Sequence, residues 1–279
     1  MTVGASSASV SGACDCHAHV FGPLDRFSFI EGRSYTPPER LAADYRAMLI
    51  SLGIERGVVV QPSVYGTDNS ATLNAIAELG TNFRGVAVLP ADADDSLLSD
   101  CAAGGIRGVR LSAMTKGGVP LSRLEAMAAR LKGSGWHIQV LAEFSKSPDL
   151  AGRLGKLGVP VVIDHFGVVD PARGTGDAGF QAILELLRDG TGWLKLSGPY
   201  LGSRQPMPYA DMEPFAAALV TAAADRLVWG TDWPHPSCGD APPDDGALFT
   251  LLDRWVPDAS IRQRILVDNP AALYGFPRA

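Results

Sequence analysis

The sequence predicts an α/β protein of (β/α)8 TIM-barrel class, a single domain with its active site at the C-terminal face of the strands. Three observations predict it. The chain has 279 residues, long for most single domains but typical of one such barrel. Eight short apolar runs alternate with longer helix-like stretches. The long polar segments come after the strand-like runs, not after the helix-like ones.

The runs are Asp15–Phe21, Gly57–Pro62, Gly85–Pro90, Gly108–Leu111, His137–Ala142, Val159–Asp164, Trp193–Ser197 and Arg226–Gly230. They are rich in Val, Ile and Leu, as strands of a parallel sheet covered on both faces must be. Amphipathic patterns lie between them, among them Leu121–Lys132, Leu150–Leu157, Phe180–Arg188 and Met212–Ala224. The polar segments Gly22–Tyr35, Ser63–Asn69, Ser112–Ser122, Phe166–Gly179, Gly198–Asp211 and Trp233–Gly246 then become the βα loops, where barrel active sites are built. A doubly wound open sheet is the alternative, but no Gly-x-Gly-x-x-Gly turn follows the first run. Residues 1–12 read as a flexible tail and residues 13–279 as the barrel.

Composition narrows the function. Hydrophobic residues make up 46% of the chain, enough for a large core, and the net charge of −6 comes with no basic stripe. That argues against nucleic acid as a main partner, and no apolar run is long enough to span a bilayer. The start lacks the basic and apolar regions of a secretory signal, so a cytoplasmic protein is expected, as a monomer or small homo-oligomer. The spacing of Cys14, Cys16, Cys101 and Cys238 fits neither a disulfide framework nor a paired zinc motif, and they read as small buried thiols.

His17 and His19 are two apart in the first run. Strict alternation would put Asp15, His17 and His19 on one face and Cys14, Cys16 and Ala18 on the other. Two imidazoles facing one way at a strand end can share a metal ion or a reacting water; without chemistry they are hydrogen-bonded polar groups. Gly230–Pro236, GTDWPHP, closes the last run and brings Asp232 beside the first strand once the barrel shuts. A carboxylate there can act as general base or metal ligand, or merely cap a turn. His165 ends the sixth run and points to the same rim. His137 begins the fifth run and belongs to the opposite, structural end. Trp229, Trp233 and Tyr200 read as rim packing.

CDCHAHVFGP, VVIDHFG and GTDWPHP, with Asp268-Asn269-Pro270-Ala271 near the end, are similar to motifs of the amidohydrolase superfamily. The likeness extends from Cys14 to Pro277, within the branch that holds the 2-pyrone-4,6-dicarboxylate lactonases, sulfomuconolactone hydrolases and galactarolactone-processing enzymes. Many superfamily members hold two metals, using a Lys or Glu from strand four and histidines from strands five and six. Here strand four ends Val109-Arg110-Leu111-Ser112 and strand five ends Leu141-Ala142-Glu143-Phe144, without those ligands. The pyrone-dicarboxylate lactonases share that lack and work without metal, whereas the sulfomuconolactone enzymes use zinc.

Arg110 leads into the loop that carries Lys116, Arg204 lies after the seventh run, Tyr35 ends the first loop and Ser63 closes the second strand. Hydroxyl donors with planar cations suit substrate carboxylates, although loop arginines also make plain surface ion pairs. The resemblance implies a carboxylate-binding set of Tyr35, Ser63, Arg110 and Arg204, with Lys116. The expectation is a hydrolase for a small anionic lactone that requires no cofactor. Asp232 takes a proton from water, His17 and His19 position that water and the carbonyl, and His165 supports the polarised carbonyl. The alternatives are a mononuclear zinc enzyme with His17, His19, Asp232 and His165 as ligands, a related decarboxylase, and a non-catalytic binding barrel.

Overall fold

The computed structural model describes residues 10–277 except 91 and 240. The expected tail, residues 1–12, lies outside the described residues apart from its last three. Eight strands form one parallel sheet in sequence order: β1 (Cys14–Ala18), β2 (Arg56–Val60), β3 (Phe83–Ala87), β4 (Ile106–Ser112), β5 (His137–Leu141), β6 (Val161–Ile163), β7 (Gly192–Leu196) and β8 (Leu227–Trp229). The barrel closes just beyond the ends of β1 and β8, where Ala18 bridges Trp233 in parallel. Helices α1 (Ala42–Leu52), α2 (Ser70–Leu79), α3 (Asp95–Ala103), α4 (Leu124–Leu131), α5 (Leu150–Leu154), α6 (Ala178–Arg188), α7 (Glu213–Ala223) and α8 (Asp245–Trp255) succeed the strands in turn. The sequence therefore folds as the expected (β/α)8 barrel.

Alternation along each strand separates two cores. Val59, Val109, Leu111, Ile138, Val140, Ile163, Leu194 and Leu196 face outward and pack under the helices. Cys14, Cys16, Val58, Val60, Val86, Val162 and Val228 form an inner core. Tyr274 and Phe276 join that inner core at the end of α10 (Asn269–Tyr274). This segment comes after α9 (Ala259–Gln263), and Asn269 Nδ2 donates to the carbonyls of Ala224 and Leu227 at 2.9 and 2.6 Å. The Asn-Pro-Ala motif thus ties the C-terminal helix to the start of β8.

Helix limits shift where caps decide them. α6 begins two residues before the expected Phe180, because the Asp177 carboxylate accepts from the N–H groups of Gly179 and Phe180. Among the described residues no helix is long and apolar enough to cross a membrane.

Candidate active site

The first strand corrects the expectation of strict alternation. Pairing with β2 runs Asp15 to Gly57 and Ala18 to Val59, so β1 spends three residues where β2 spends two. Such a bulge re-aims side chains. Cys14 and Cys16 stay in the inner core and Asp15 turns away from it, toward Tyr45 of α1. After the bulge the phase is reset, and His17 and His19 point inward over the strand end.

The same segment seals the barrel. Asp232 N–H donates to the His17 carbonyl at 2.8 Å, and His19 N–H to the Trp233 carbonyl at 2.7 Å. Asp15 accepts from four donors: the N–H groups of His17 (3.0 Å) and Thr231 (2.9 Å), the Thr231 hydroxyl (2.6 Å) and the Tyr45 hydroxyl (3.1 Å). Burial raises its carboxyl to about 6, with those bonds opposing. Gly230 allows the close approach, since a Cβ there would lie 2.7 Å from His17 N and 2.8 Å from His17 Cβ. Gly230→Ala is therefore expected to destabilise the protein by about 1–3 kcal/mol, the usual range for overpacking, read from urea unfolding.

Above this seam four side chains converge. His17 Nε2 and His19 Nε2 are 3.3 Å apart, and Asp232 Oδ1 lies 3.6 and 3.5 Å from them. His165 Nε2 is 3.9 Å from the same oxygen, and its ring centroid is 4.4 Å from that of His17. All four side chains are buried. Burial works against the Asp232 charge, but His165, His19 and His17 outweigh it and hold the carboxyl well below its ordinary range. Burial also drives His17 down, helped by the Lys195 charge, so the imidazole is neutral at physiological pH. The other Asp232 oxygen accepts from the Tyr200 hydroxyl at 2.7 Å. That hydroxyl also lies 3.0 Å from His235 Nδ1, and His235 Nε2 reaches Asp245 at 3.0 Å.

The backbone is bent to present these groups. His165, Phe166, Val168, Asp232 and His235 all have φ between +44° and +64°, a region that side chains with a Cβ rarely enter. Left-handed residues cost of order 1–3 kcal/mol each and persist where the surroundings over-determine them. At His165 the reason is visible: Nδ1 meets the Ser197 hydroxyl at 2.9 Å, and Gly198 leaves room for the ring where a Cβ would be 2.8 Å from Nδ1.

Below the histidines an ion cluster fills the barrel. Asp164 accepts at Oδ2 from Arg110 Nε (2.9 Å) and Gln139 Nε2 (3.0 Å). Lys195 Nζ donates to Gln139 Oε1 at 2.7 Å and sits 3.3 Å from His17 Nδ1 and 3.6 Å from Asp164 Oδ1. Burial opposes the Asp164 charge, yet the cations of Arg110 and Lys195 keep it well below the ordinary range. Burial lowers Lys195, and Asp164 opposes that shift.

Comparison with known proteins matches the chain to one family: the amidohydrolase family model covers residues 14–276. The chain belongs to the amidohydrolase family. It is 38% identical over 275 residues to a 4-sulfomuconolactone hydrolase of Rhizobium radiobacter, covering 97% of this chain and 92% of that protein. It is 36% identical to a 2-pyrone-4,6-dicarboxylate hydrolase of Comamonas testosteroni, covering 95% and 90%. Among solved structures, an apo protein from Agrobacterium tumefaciens superposes with a TM-score of 0.89 at 33% identity, covering 96% and 97%.

In this amidohydrolase the other expected residues are spread more widely. Tyr35 is half-buried and close enough to Arg110 to feel its charge; burial pushes its hydroxyl up to about 12, so it remains a donor. Ser63 is buried, and its Oγ has no hydrogen-bond partner among the described residues. Lys116 is exposed, on a loop whose Gly117 rests on the Ser63 carbonyl. Arg204 departs from the expectation of facing the site: its guanidinium pairs with Asp170 at 2.8 Å and is 64% exposed. His137 lies at the other end of the barrel, against Tyr274, beside a hollow of about 510 Å³ that Trp193 and Arg226 also line. Trp229 and Trp233 are packing residues, against Phe249 and Tyr45. Tyr200 is not: the reading as rim packing is corrected by its bond to Asp232.

Sequence reasoning passed over Lys195, Asp164, Gln139 and His235. Two signals were present. Lys195 is a lone charge between two leucines in a core strand, on the face shared by Trp193 and Ser197. His235 stands in the GTDWPHP motif itself.

Two groups of side chains have the composition and spacing to hold a metal ion: His17, His19 and Asp232, and His17, Asp164 and His165. Ligand atoms of a tetrahedral zinc with bonds of about 2.0–2.1 Å are roughly 3.3–3.4 Å apart. The first group, with its edges of 3.3, 3.5 and 3.6 Å, fits that donor geometry.

Proposed function

We propose that this amidohydrolase opens a small anionic lactone, of the chemical kind named for its relatives: a ring ester carrying carboxylate or sulfonate groups. The observation that carries this reading is the placement of an ionised Asp232 Oδ1 within 3.9 Å of three imidazoles, beside a cluster of fixed cations. Asp232 accepts a proton from water as the water oxygen bonds to the lactone carbonyl carbon. The carbonyl π electrons move to oxygen, where imidazole N–H groups stabilise the charge. Collapse breaks the ring C–O bond, and the leaving oxygen recovers the proton from Asp232. One water is consumed and one open-chain acid is formed. Arg110, Tyr35 and Ser63 hold the substrate's anionic group, with Lys116 at the rim. The test is lactone opening by the purified protein, monitored spectroscopically with 2-pyrone-4,6-dicarboxylate, 4-sulfomuconolactone and an uncharged lactone. Activity on the uncharged compound alone would remove the anionic class, and no opening of any lactone would remove the reaction.

The reading requires no metal. In support, the inward side chains of β4 and β5 beside the cup are Arg110 and Gln139, a cation and an amide, and the Lys195 ammonium of β7 faces His17. The triangle of His17, His19 and Asp232 favours a second reading, with one zinc held by those three residues. Zinc would supply Lewis-acid polarisation and a more acidic bound water. Activity is expected to survive exhaustive chelation unchanged. Loss on chelation with recovery on adding zinc would replace the first reading with the second.

A further inference from the structure

We propose that Lys195 holds His17 in the tautomer protonated at Nε2, making it a hydrogen-bond donor to the substrate carbonyl and denying a metal ion the lone pair it needs. Lys195 is then a positioning residue acting through His17, and the inference rests on the metal-free reading above.

The direction of each bond is set by what each atom can do. An ammonium has only donors, so every atom it faces must accept. Gln139 Oε1 accepts at 2.7 Å, because the amide nitrogen of Gln139 is committed to Asp164 Oδ2. His17 Nδ1, at 3.3 Å, is the second acceptor. The competing arrangement, His17 Nδ1–H donating to Asp164 Oδ1 at the same 3.3 Å, is poorly aligned: Asp164 Oδ1 is buried and has no hydrogen-bond partner. With Nδ1 accepting, a neutral His17 carries its proton on Nε2. That proton points toward His19 Nε2 at 3.3 Å, an acceptor that a bound carbonyl oxygen replaces. His19 can receive it, since its own Nδ1–H is spent on the Val60 carbonyl at 2.7 Å. One consistent chain runs from Lys195 through His17 and His19 to Val60, each link a donor facing an acceptor.

A metal in the cup needs the Nε2 lone pairs of both histidines. In His17 that requires the proton to move to Nδ1, where the ammonium would meet an N–H. The buried charge adds like-charge repulsion toward any divalent ion one imidazole away. Without the ammonium, Nδ1–H is free to turn to Asp164, giving the carboxylate–histidine support that metal sites use.

The test reads protonation and metal content directly. In protein labelled with nitrogen-15 at histidine, a long-range proton–nitrogen spectrum at neutral pH should show His17 protonated at Nε2. Protonation at Nδ1 would overturn the proposal without any variant. Lys195→Met and Lys195→Gln, checked for folding by circular dichroism, are then dialysed against zinc beside the parent and analysed for bound metal. The parent should remain substoichiometric and Lys195→Met should approach one zinc per chain. Metal-stripped Lys195→Met should lose roughly 10²-fold in kcat, the scale of one lost oxyanion donor, with KM little changed. If the parent itself holds zinc and depends on it, the metal-free reading fails and takes this inference with it. If the parent is active without metal but the variants bind none and His17 keeps its tautomer, the role of Lys195 alone is wrong. If neither variant folds, the parent spectrum decides.

Discussion

Asp232→Asn should keep the barrel and lose about 10²-fold or more in turnover, the scale of a positioned proton acceptor. The side chains have the same shape, and the backbone bond from residue 232 to the His17 carbonyl does not involve the carboxylate. Tyr200 donates to Oδ2, so it holds an amide oxygen there and turns the NH2 toward the histidines. Water in the cup then faces a donor instead of a base. If Tyr200 rotates to donate to His235, the amide oxygen can face the water, but a neutral amide is not a useful base. Both arrangements remove general-base catalysis. Denaturant unfolding should show a folded protein with a moderate loss of stability at neutral pH, because the fold holds the Asp232 carboxyl below its ordinary range and so gains from its charge. Turnover within a fewfold of the parent would remove Asp232 from the mechanism.

What the sequence disclosed was set by local regularity. Val58-Val59-Val60 and Val161-Val162-Ile163 announce buried parallel strands because both faces of each are covered, and the loops after them announce the catalytic end. Asp232 and His165 could be assigned to that end because each closes a run. The exceptions arise where local regularity fails. Alternation mis-phases Asp15, Cys14 and Cys16 against the histidines, because the bulge in β1 is fixed by pairing with β2 and by Thr231, a residue 216 positions away. Asp164 was missed because His165, at φ +51°, breaks the strand pattern just after it, so two adjacent side chains both serve the site. The bond from Tyr200 to Asp232 and the pairing of Arg204 with Asp170 join loops from different strands, and no spacing within the chain encodes them.

The positive φ values gather in the same two loops. Of the six such non-glycine residues among the described ones, five lie in the loops after β6 and β8, and Tyr209 lies elsewhere. These loops carry the base, one imidazole and the His235 contact to α8. Asp232 lies beside the seam of Asp15, Thr231 and Gly230, which also closes the sheet, while His165 is held by Ser197 and Gly198. Barrel closure and assembly of the reacting groups are therefore one event in this protein: a change that opens the seam displaces His17 from Asp232.

Arg110→Met is the second large effect, and it should discriminate between substrates. The guanidinium has two tasks open to it. Its Nε is bound to Asp164 at 2.9 Å, which leaves its terminal nitrogens for a substrate. Tyr35 lies near it with a protonated hydroxyl, and the buried Ser63 hydroxyl beside Tyr35 is a further donor. If the terminal nitrogens bind a substrate carboxylate, removing them deletes a charge-assisted bond worth about 1.5–3 kcal/mol, or roughly 10- to 150-fold in kcat/KM for a dicarboxylate lactone. A neutral lactone loses only the part caused by disturbing Asp164. That second loss is common to both substrates and has its own signature: a buried carboxylate deprived of one cation should lower stability by about 1.5–3 kcal/mol, read from urea unfolding. Lys195 and Gln139 still face Asp164, which limits the damage. A larger fall for the dicarboxylate than for the neutral lactone assigns Arg110 to substrate binding. Equal falls for the two, with the same loss of stability, would confine it to supporting Asp164 and move anion recognition to Tyr35, Ser63 and the exposed Lys116.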